Sequence, residues 1–254
     1  MTLYFIGIGL GDENDISCKG LETIKQCTVV YLENYTSFIE TTKEQLEKFY
    51  NKKIILADRD LVENKAEQTI LKDAQTNNVA FLVIGDPLAA TTHTDLFLRA
   101  KKLNIEVKLI HNTSVFTAVT ETGLQLYKFG PTTSIPFTDK ETLPETPYNN
   151  IRENLSRGLH TLVLLDLKPT EKKFMNIKTG INYLEFIEIK LKGNVLTADK
   201  KIIGCAALGT KNTEIAYGTA EQLKQHNFTK ILQCIIIPGK LHFMEEEFLE
   251  QFMV

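Results

Sequence analysis

No apolar run in the 254-residue chain approaches the roughly 20 residues a membrane-spanning helix requires; the longest, such as 231–238, are short and interrupted. The first residues run straight into LYFIGIGLGD, without the charged and apolar tract of a signal peptide. Only four cysteines occur, Cys18, Cys27, Cys205 and Cys234, and none is in C-x-x-C spacing, so a zinc ribbon or disulfide scaffold is excluded and free thiols in a cytoplasmic setting are expected. With 7 Pro and 14 Gly there is neither a collagenous nor a disordered composition, and no repeat or low-complexity tract appears. Charge of one sign is also missing. A net charge of −3 gives no broad cationic field, so no direct nucleic-acid partner is expected.

What is present is alternation. Apolar runs at 3–8, 28–33, 53–57, 79–85 and 105–110 are separated by segments of helical period. Residues 15–26 place Ile16, Leu21 and Ile24 among polar neighbours, and 60–76 repeats Val62, Ala66, Ile70 and Ala74 at steps of four, predicting two surface helices. Helices that cross between parallel strands cover both sheet faces, so the first half is expected to be an open, mostly parallel α/β domain. Its ligand crevice belongs at the carboxyl ends of the strands. After Gly130 strands predominate, at 161–167, 201–208, 213–218 and 231–238, with helices over 148–157, 180–192 and a closing one after Gly239. The expected division is 1–112 and 113–254.

Three strand ends carry chemistry. GIGLGD (7–12) fits the first two glycines of a dinucleotide fingerprint, but the third position falls on Asp12, whose carboxylate would repel a pyrophosphate at a helix N-terminus. Glu33, at the end of the second strand, imitates the ribose-binding acid and reads as a decoy; the plain alternative is a tight turn with Asp12 or Asp15 capping the helix. Gly85-Asp86-Pro87 ends the fourth strand amid small residues, where Asp86 can accept from a ligand and Thr91 and Thr92 can cap the next helix. No nucleophile–base pair or metal-ligand cluster is recognisable, so no metal is expected and no catalytic side chain is assigned.

GIGLGDENDIS-x-KG, GDPLAATTHTDL, IHNTSVFTAV, GLQLYKFGPTTSIPF, GLHTLVLLDLK and IIIPGKLHFMEEEFL, in this order and spacing, resemble the diphthine synthase family. That family lies in the tetrapyrrole-methylase-like class of S-adenosylmethionine-dependent methyltransferases. The resemblance covers most of the chain and is weakest over 168–200. It implies two α/β domains of the tetrapyrrole methylase type, with S-adenosyl-L-methionine in the cleft between them, leaving as S-adenosyl-L-homocysteine, and a homodimer. By motif it implies cofactor contacts from Leu10, Asp86, Ala89, Ser114, Val115, Leu165, Tyr217 and His242. Ala89 stands where the family usually has glycine, and Tyr217 where it usually has a small residue. The residues alone also allow a helix cap at Ser114, core packing for Leu165 and a structural role for His242. His93 and His111 read as bonded to backbone, and Glu245, Glu246 and Glu247 as a solvated face or a first-turn complement to the helix dipole.

The substrate implied is elongation factor 2 carrying a 3-amino-3-carboxypropyl-histidine, methylated on its amine in diphthamide biosynthesis. The LQLYKFG and HTLVLLDLK segments look closest to eukaryotic members, which also esterify the carboxylate. Tyr127, Phe129 and Phe137 are candidate rings to face a quaternary ammonium, with core packing as their alternative. A second reading is another methyltransferase of the class, acting on a tetrapyrrole or on ribosomal RNA. The displaced third glycine argues against an NAD-dependent oxidoreductase.

Overall fold

The computed structural model describes residues 1–138 and 143–254. The chain divides into two compact units, Met1–Ala118 with Lys168–Glu171, and Val119–Leu167 with Lys172–Val254.

Unit 1 contains the strands β1 (Thr2–Gly7), β2 (Val29–Glu33), β3 (Ile55–Ala57), β4 (Val79–Val83) and β5 (Glu106–Ile110), arranged β3-β2-β4-β1-β5. Every pairing is parallel. The period-2 alternation of β1 sends Leu3 and Phe5 to one apolar layer and Ile6 with Ile8 to another. Both faces are therefore covered, as a parallel sheet requires. The helices are α1 (Cys18–Gln26), α2 (Lys43–Tyr50), α3 (Arg59–Glu63), α4 (Ile70–Thr76), α5 (Thr94–Lys102) and α6 (Val115–Ala118).

The single helix expected over 60–76 is broken into α3, a 3-10 turn at Ala66–Gln68, and α4. Its apolar face is as expected, with Val62, Ala66, Ile70 and Ala74 all buried. At the second break Thr69, with φ −127° and ψ −100°, leaves the helical region, and its Oγ1 donates to the Lys65 carbonyl at 2.7 Å.

Unit 2 is built on β6 (Thr133–Ile135), β7 (Thr161–Leu165), β10 (Lys201–Ala206), β11 (Glu214–Thr219) and β12 (Gln233–Ile237), with the two-residue strands β8 (Leu167–Lys168) and β9 (Lys173–Phe174) between them in sequence. The five-stranded order is β11-β10-β12-β7-β6, antiparallel except for the parallel β6–β7 pair. Its helices are α7 (Thr146–Ser156), α8 (Ile177–Leu191), α9 (Ala220–Gln225) and α10 (Phe243–Leu249). Tyr148 and Ile151 of α7, Ile181 and Leu184 of α8, and Leu223 of α9 share one core with Val163, Ile202 and Ile235 of the sheet.

All four cysteines are free thiols, Cys18 exposed and the others buried. No helix among the described residues is long and apolar enough to cross a membrane.

Candidate functional site

The sheet order of unit 1 puts β4, β1 and β5 side by side, so the three motif loops GDP, GIGLGD and HNTS leave from neighbouring strand ends. The chain turns toward opposite edges of the sheet from β1 and from β4, which is where open α/β sheets leave a crevice. The loops are stitched together. Gly85 N donates to the Gly9 carbonyl at 2.8 Å, and Gly9 N returns to the Gly85 carbonyl at 3.4 Å. Both glycines have a φ of +81°, and a Cβ on Gly9 would lie 2.4 Å from that of Asp15, so no side chain fits there.

Asp86 is the hub. Its Oδ1 accepts from Leu88 N at 3.1 Å, and its Oδ2 from His111 Nδ1 at 2.8 Å and Asn112 N at 3.2 Å. Asn112 continues the chain of contacts, its Nδ2 donating to the carbonyls of Gly7 and Asp15, both at 3.0 Å. Sequence reasoning missed this residue, although a polar HN pair directly after an apolar strand was the available signal. His111, expected to bond backbone, instead meets the Asp86 carboxylate: it leaves β5 on the side where Asp86 leaves β4. His93 does bond backbone, its Nδ1 lying 3.3 Å from the Pro87 carbonyl.

Five expected contact residues gather here. A methyl group placed on Gly85 would lie 3.6 Å from Leu10 Cδ2, 3.8 Å from the Thr113 carbonyl oxygen and 3.9 Å from Ser114 Cα. Ala89 N donates to the Asp86 carbonyl at 3.3 Å. Ser114 Oγ accepts from Phe116 N at 3.3 Å, a cap that leaves Val115 opening α6. Leu10, Asp86, Ala89 and Val115 are each partly exposed, so the ring of loops presents both main chain and side chains to a ligand.

Neither threonine caps α5 through its side chain; Thr91 Oγ1 accepts from His93 N at 3.0 Å. Asp12 caps a 3-10 turn at Glu13–Asp15, Asp15 Oδ2 accepts from Gly11 N at 2.7 Å, and α1 is capped by Ser17. Glu33 is fully buried, and its carboxylate accepts from Tyr35 N at 3.3 Å, Thr36 N at 3.1 Å and Thr36 Oγ1 at 2.6 Å. Burial raises its pKa against those bonds, and no ribose can reach it.

The three expected residues of unit 2 do not form one cluster. Leu164 pairs with Cys234 and Thr161 with Ile237, so Leu165 lies at the opposite end of the sheet from the loop after β12 that carries His242. Leu165 is buried, and a Cβ on Gly180 of α8 would come within 2.7 Å of its Cδ2, so its side chain is core. Tyr217 sits within β11 opposite Ile203, with the Lys201 ammonium 5.6 Å from its ring centre. Burial, then the Glu246 carboxylate, raises its phenol pKa. His242 is exposed at the start of α10, and its Nδ1 accepts from Met244 N at 3.3 Å. Of the candidate rings, Tyr127 is 80% exposed, Phe129 packs edge-on against His160, and Phe137 already has the Lys173 ammonium 4.3 Å from its centre.

Glu245 and Glu246 lie in the first turn of α10, as one of the two expected roles requires, but Glu245 is not part of a solvated face. That side chain is buried, ion-paired to Lys128, and accepts from Gln125 N at 2.9 Å, His242 N at 2.8 Å and His160 Nε2 at 3.1 Å. Burial pushes its carboxyl up, but Lys128, the two amides and His160 outweigh it and hold the pKa at about 2. The charge run hid a helix periodicity in which one of three glutamates points inward.

Tetrapyrrole (Corrin/Porphyrin) Methylases, as a family, match residues 2–224. Diphthine methyl ester synthase of Dictyostelium discoideum is 44% identical, over 100% of this chain and 99% of its own length. Diphthine synthase of Methanocaldococcus jannaschii is also 44% identical, over 98% of this chain and 97% of its own. The crystal structure of a diphthine synthase superposes with a TM-score of 0.90 at 33% identity, covering 100% of this chain and 96% of that one. With two α/β units, one parallel sheet and one mixed sheet in accord with it, the chain belongs to the tetrapyrrole methylase family, in the branch that contains the diphthine and diphthine methyl ester synthases.

Proposed function

We propose that the chain transfers methyl groups from S-adenosylmethionine to the 3-amino-3-carboxypropyl-histidine of elongation factor 2, on the amine and then on the carboxylate, in diphthamide biosynthesis. The observation that carries this reading is identity of 44% along the whole chain to a protein named diphthine methyl ester synthase. A tetrapyrrole or ribosomal RNA substrate is not favoured.

The strand-end loops of unit 1 fit such a cofactor. The Gly9 and Gly85 main chains are packed against each other while Leu10, Asp86 and Ala89 remain partly open, so a ligand can approach backbone atoms. Leu10, Asp86, Ala89, Ser114 and Val115 would hold it there. Leu165 and His242 of unit 2 are carried as proposed contacts by the resemblance, Leu165 through its main chain and His242 through its imidazole. Tyr217 stays a proposed contact, with the Lys201 ammonium 5.6 Å from its ring centre. Asp86 keeps the Leu88 and Asn112 amides in place, and with two of its acceptor positions on Oδ2 and one on Oδ1 used, a carboxylate retains about one more for a ligand hydroxyl or amine.

The cofactor supplies a methyl group on a cationic sulfur, and a thioether leaves. An α-amino acceptor with an ordinary pKa of about 7.7–8.0 is already partly neutral at pH 7, so the protein's part is alignment and exclusion of water rather than strong base catalysis. We also propose a cytoplasmic homodimer; three buried free thiols accord with a reducing compartment.

Labelled methyl transfer to elongation factor 2 bearing the unmethylated precursor tests the assignment. Mass spectrometry is expected to find a quaternary ammonium plus a methyl ester. A quaternary ammonium alone removes the ester step, and no transfer removes the assignment.

A further inference from the structure

Three segments of unit 2 that carry the resemblance, LQLYKFG, GLHTLVLLDLK and the glutamates after His242, have side chains that no cofactor contact uses. They meet at the Glu245 carboxylate. Lys128 and the Gln125 amide come from the first, His160 from the second, and the His242 amide from the loop before α10. The four donors are an ammonium, an imidazole and two main-chain amides, and the carboxylate is fully buried, so its orientation is fixed from several sides.

Two of these partners, Lys128 and His160, also bind the loop that carries His242. Lys128 Nζ donates to the Lys240 carbonyl at 2.8 Å, and Gly239 N donates to His160 Nδ1 at 2.9 Å. An amide can only donate, so Nδ1 is the acceptor and the ring proton sits on Nε2, aimed at Glu245. Burial lowers the His160 pKa against the pull of that carboxylate, keeping this neutral tautomer. Lys240 N donates to the Gly158 carbonyl at 3.1 Å. Every residue from Gly239 to His242 except Leu241 is thus tied by its main chain to this network, while the imidazole of His242 stays exposed.

We propose that Glu245 is a positioning residue that, with Lys128 and His160, holds the 239–242 loop so that His242 is presented to the cofactor. The inference rests on the reading of His242 as a cofactor contact. A carboxylate that served only to cap a short helix would not need a half-buried lysine and a buried histidine from two distant segments.

The test is a cycle of dissociation constants for S-adenosylmethionine, by calorimetry on the full chain, for wild type, Glu245→Gln, His242→Ala and the pair. Glu245→Gln replaces an acceptor of four donors by one that must turn an N–H toward some of them. It is expected to weaken binding by about tenfold to a hundredfold, the span of a lost charge-assisted hydrogen bond. In the His242→Ala background it is expected to add less than about twofold, because its effect passes through that imidazole. Tyr148→Phe is the control for general softening. It removes a buried hydroxyl that donates to Glu188 at 2.7 Å and accepts from Gly193 N at 2.9 Å, and it should lower the melting temperature with affinity unchanged.

Equal losses for Glu245→Gln in both backgrounds, or a matching loss from Tyr148→Phe, would overturn the proposal. If Glu245→Gln does not fold, Lys128→Met carries the same cycle, since the Lys128 side chain is 20% exposed and its loss leaves the carboxylate its other donors. A wild-type chain that binds no S-adenosylmethionine overturns the parent reading instead, and a silent His242→Ala overturns the contact while leaving the rest of the site standing.

Discussion

Asp86→Ala is expected to weaken S-adenosylmethionine binding at least about a hundredfold, a change of about 2.7 kcal/mol, while Glu246→Ala leaves it within about twofold. Asp86 is 14% exposed in its side chain and serves three donors. The His111 contact counts for little, since that imidazole is 69% exposed and the pair is screened by solvent. The Leu88 and Asn112 amides carry the effect. Each loses an ionised acceptor, at about 1.5–3 kcal/mol apiece for bonds to a charged group. The loss spreads because Asn112 also braces the Gly7 and Asp15 carbonyls, so the glycine loop loosens with it. Asp86→Asn retains one acceptor and should fall between the two. Calorimetry on the three variants decides it. Equal affinities for Asp86→Ala and Glu246→Ala would remove the strand-end crevice as the binding site.

Stability should fall as the pH drops from about 6.5 toward 4, with His93 contributing about 3 kcal/mol at the lower limit and His160, whose pKa burial also lowers, acting in the same direction. This imidazole is 1% exposed, packed edge-on against Phe81 and Tyr35, and its Nε2 has no partner. Burial lowers its pKa from 6.5 to about 4, against the pull of the Pro87 carbonyl. Above pH 6.5 neither folded nor unfolded chain holds the extra proton. Between 6.5 and 4 only the unfolded chain takes it up, which favours unfolding. Glu245 acts in the same direction but lower, its contribution present above 4.5 and lost as pH falls toward about 2. Urea titrations at pH 7 and 4.5 on wild type and His93→Phe separate the two. The variant should show the smaller drop; identical drops would mean that His93 does not charge on unfolding. Pro87 follows Asp86 directly, so acid is expected to loosen the binding loop before the rest of unit 1.

The strands of unit 1 were legible because each is a short apolar run closed by a turn signal, and burial on both faces leaves little room for other readings. Helix α2 was not, since KEQLEKFY buries only Leu46 and Tyr50 and shows too little period to register. The neighbourhood of residues next to strand ends was legible, as at Asp86 and Ser114, because the parallel sheet brings those ends together. Contacts that come from distant segments were not. Nothing in EEE distinguishes Glu245 until α10 is wound and Lys128 and His160 arrive from residues more than a hundred and about eighty positions away in sequence. Likewise the separation of Leu165 from His242 depends on strand direction, which the antiparallel β7–β12 pairing sets and no local pattern records.

The cysteines give each unit an internal reporter. Cys18 lies at the surface, Cys27 is sealed in unit 1, and Cys205 faces Cys234 across adjacent strands inside unit 2. Thiolates are the reactive form, and burial pushes the pKa of Cys27 to about 11 and that of Cys205 well upward. An alkylating reagent therefore meets one ready target in the native chain. Further adducts arise only as one half or the other opens, so mass counting resolves which half gives way first.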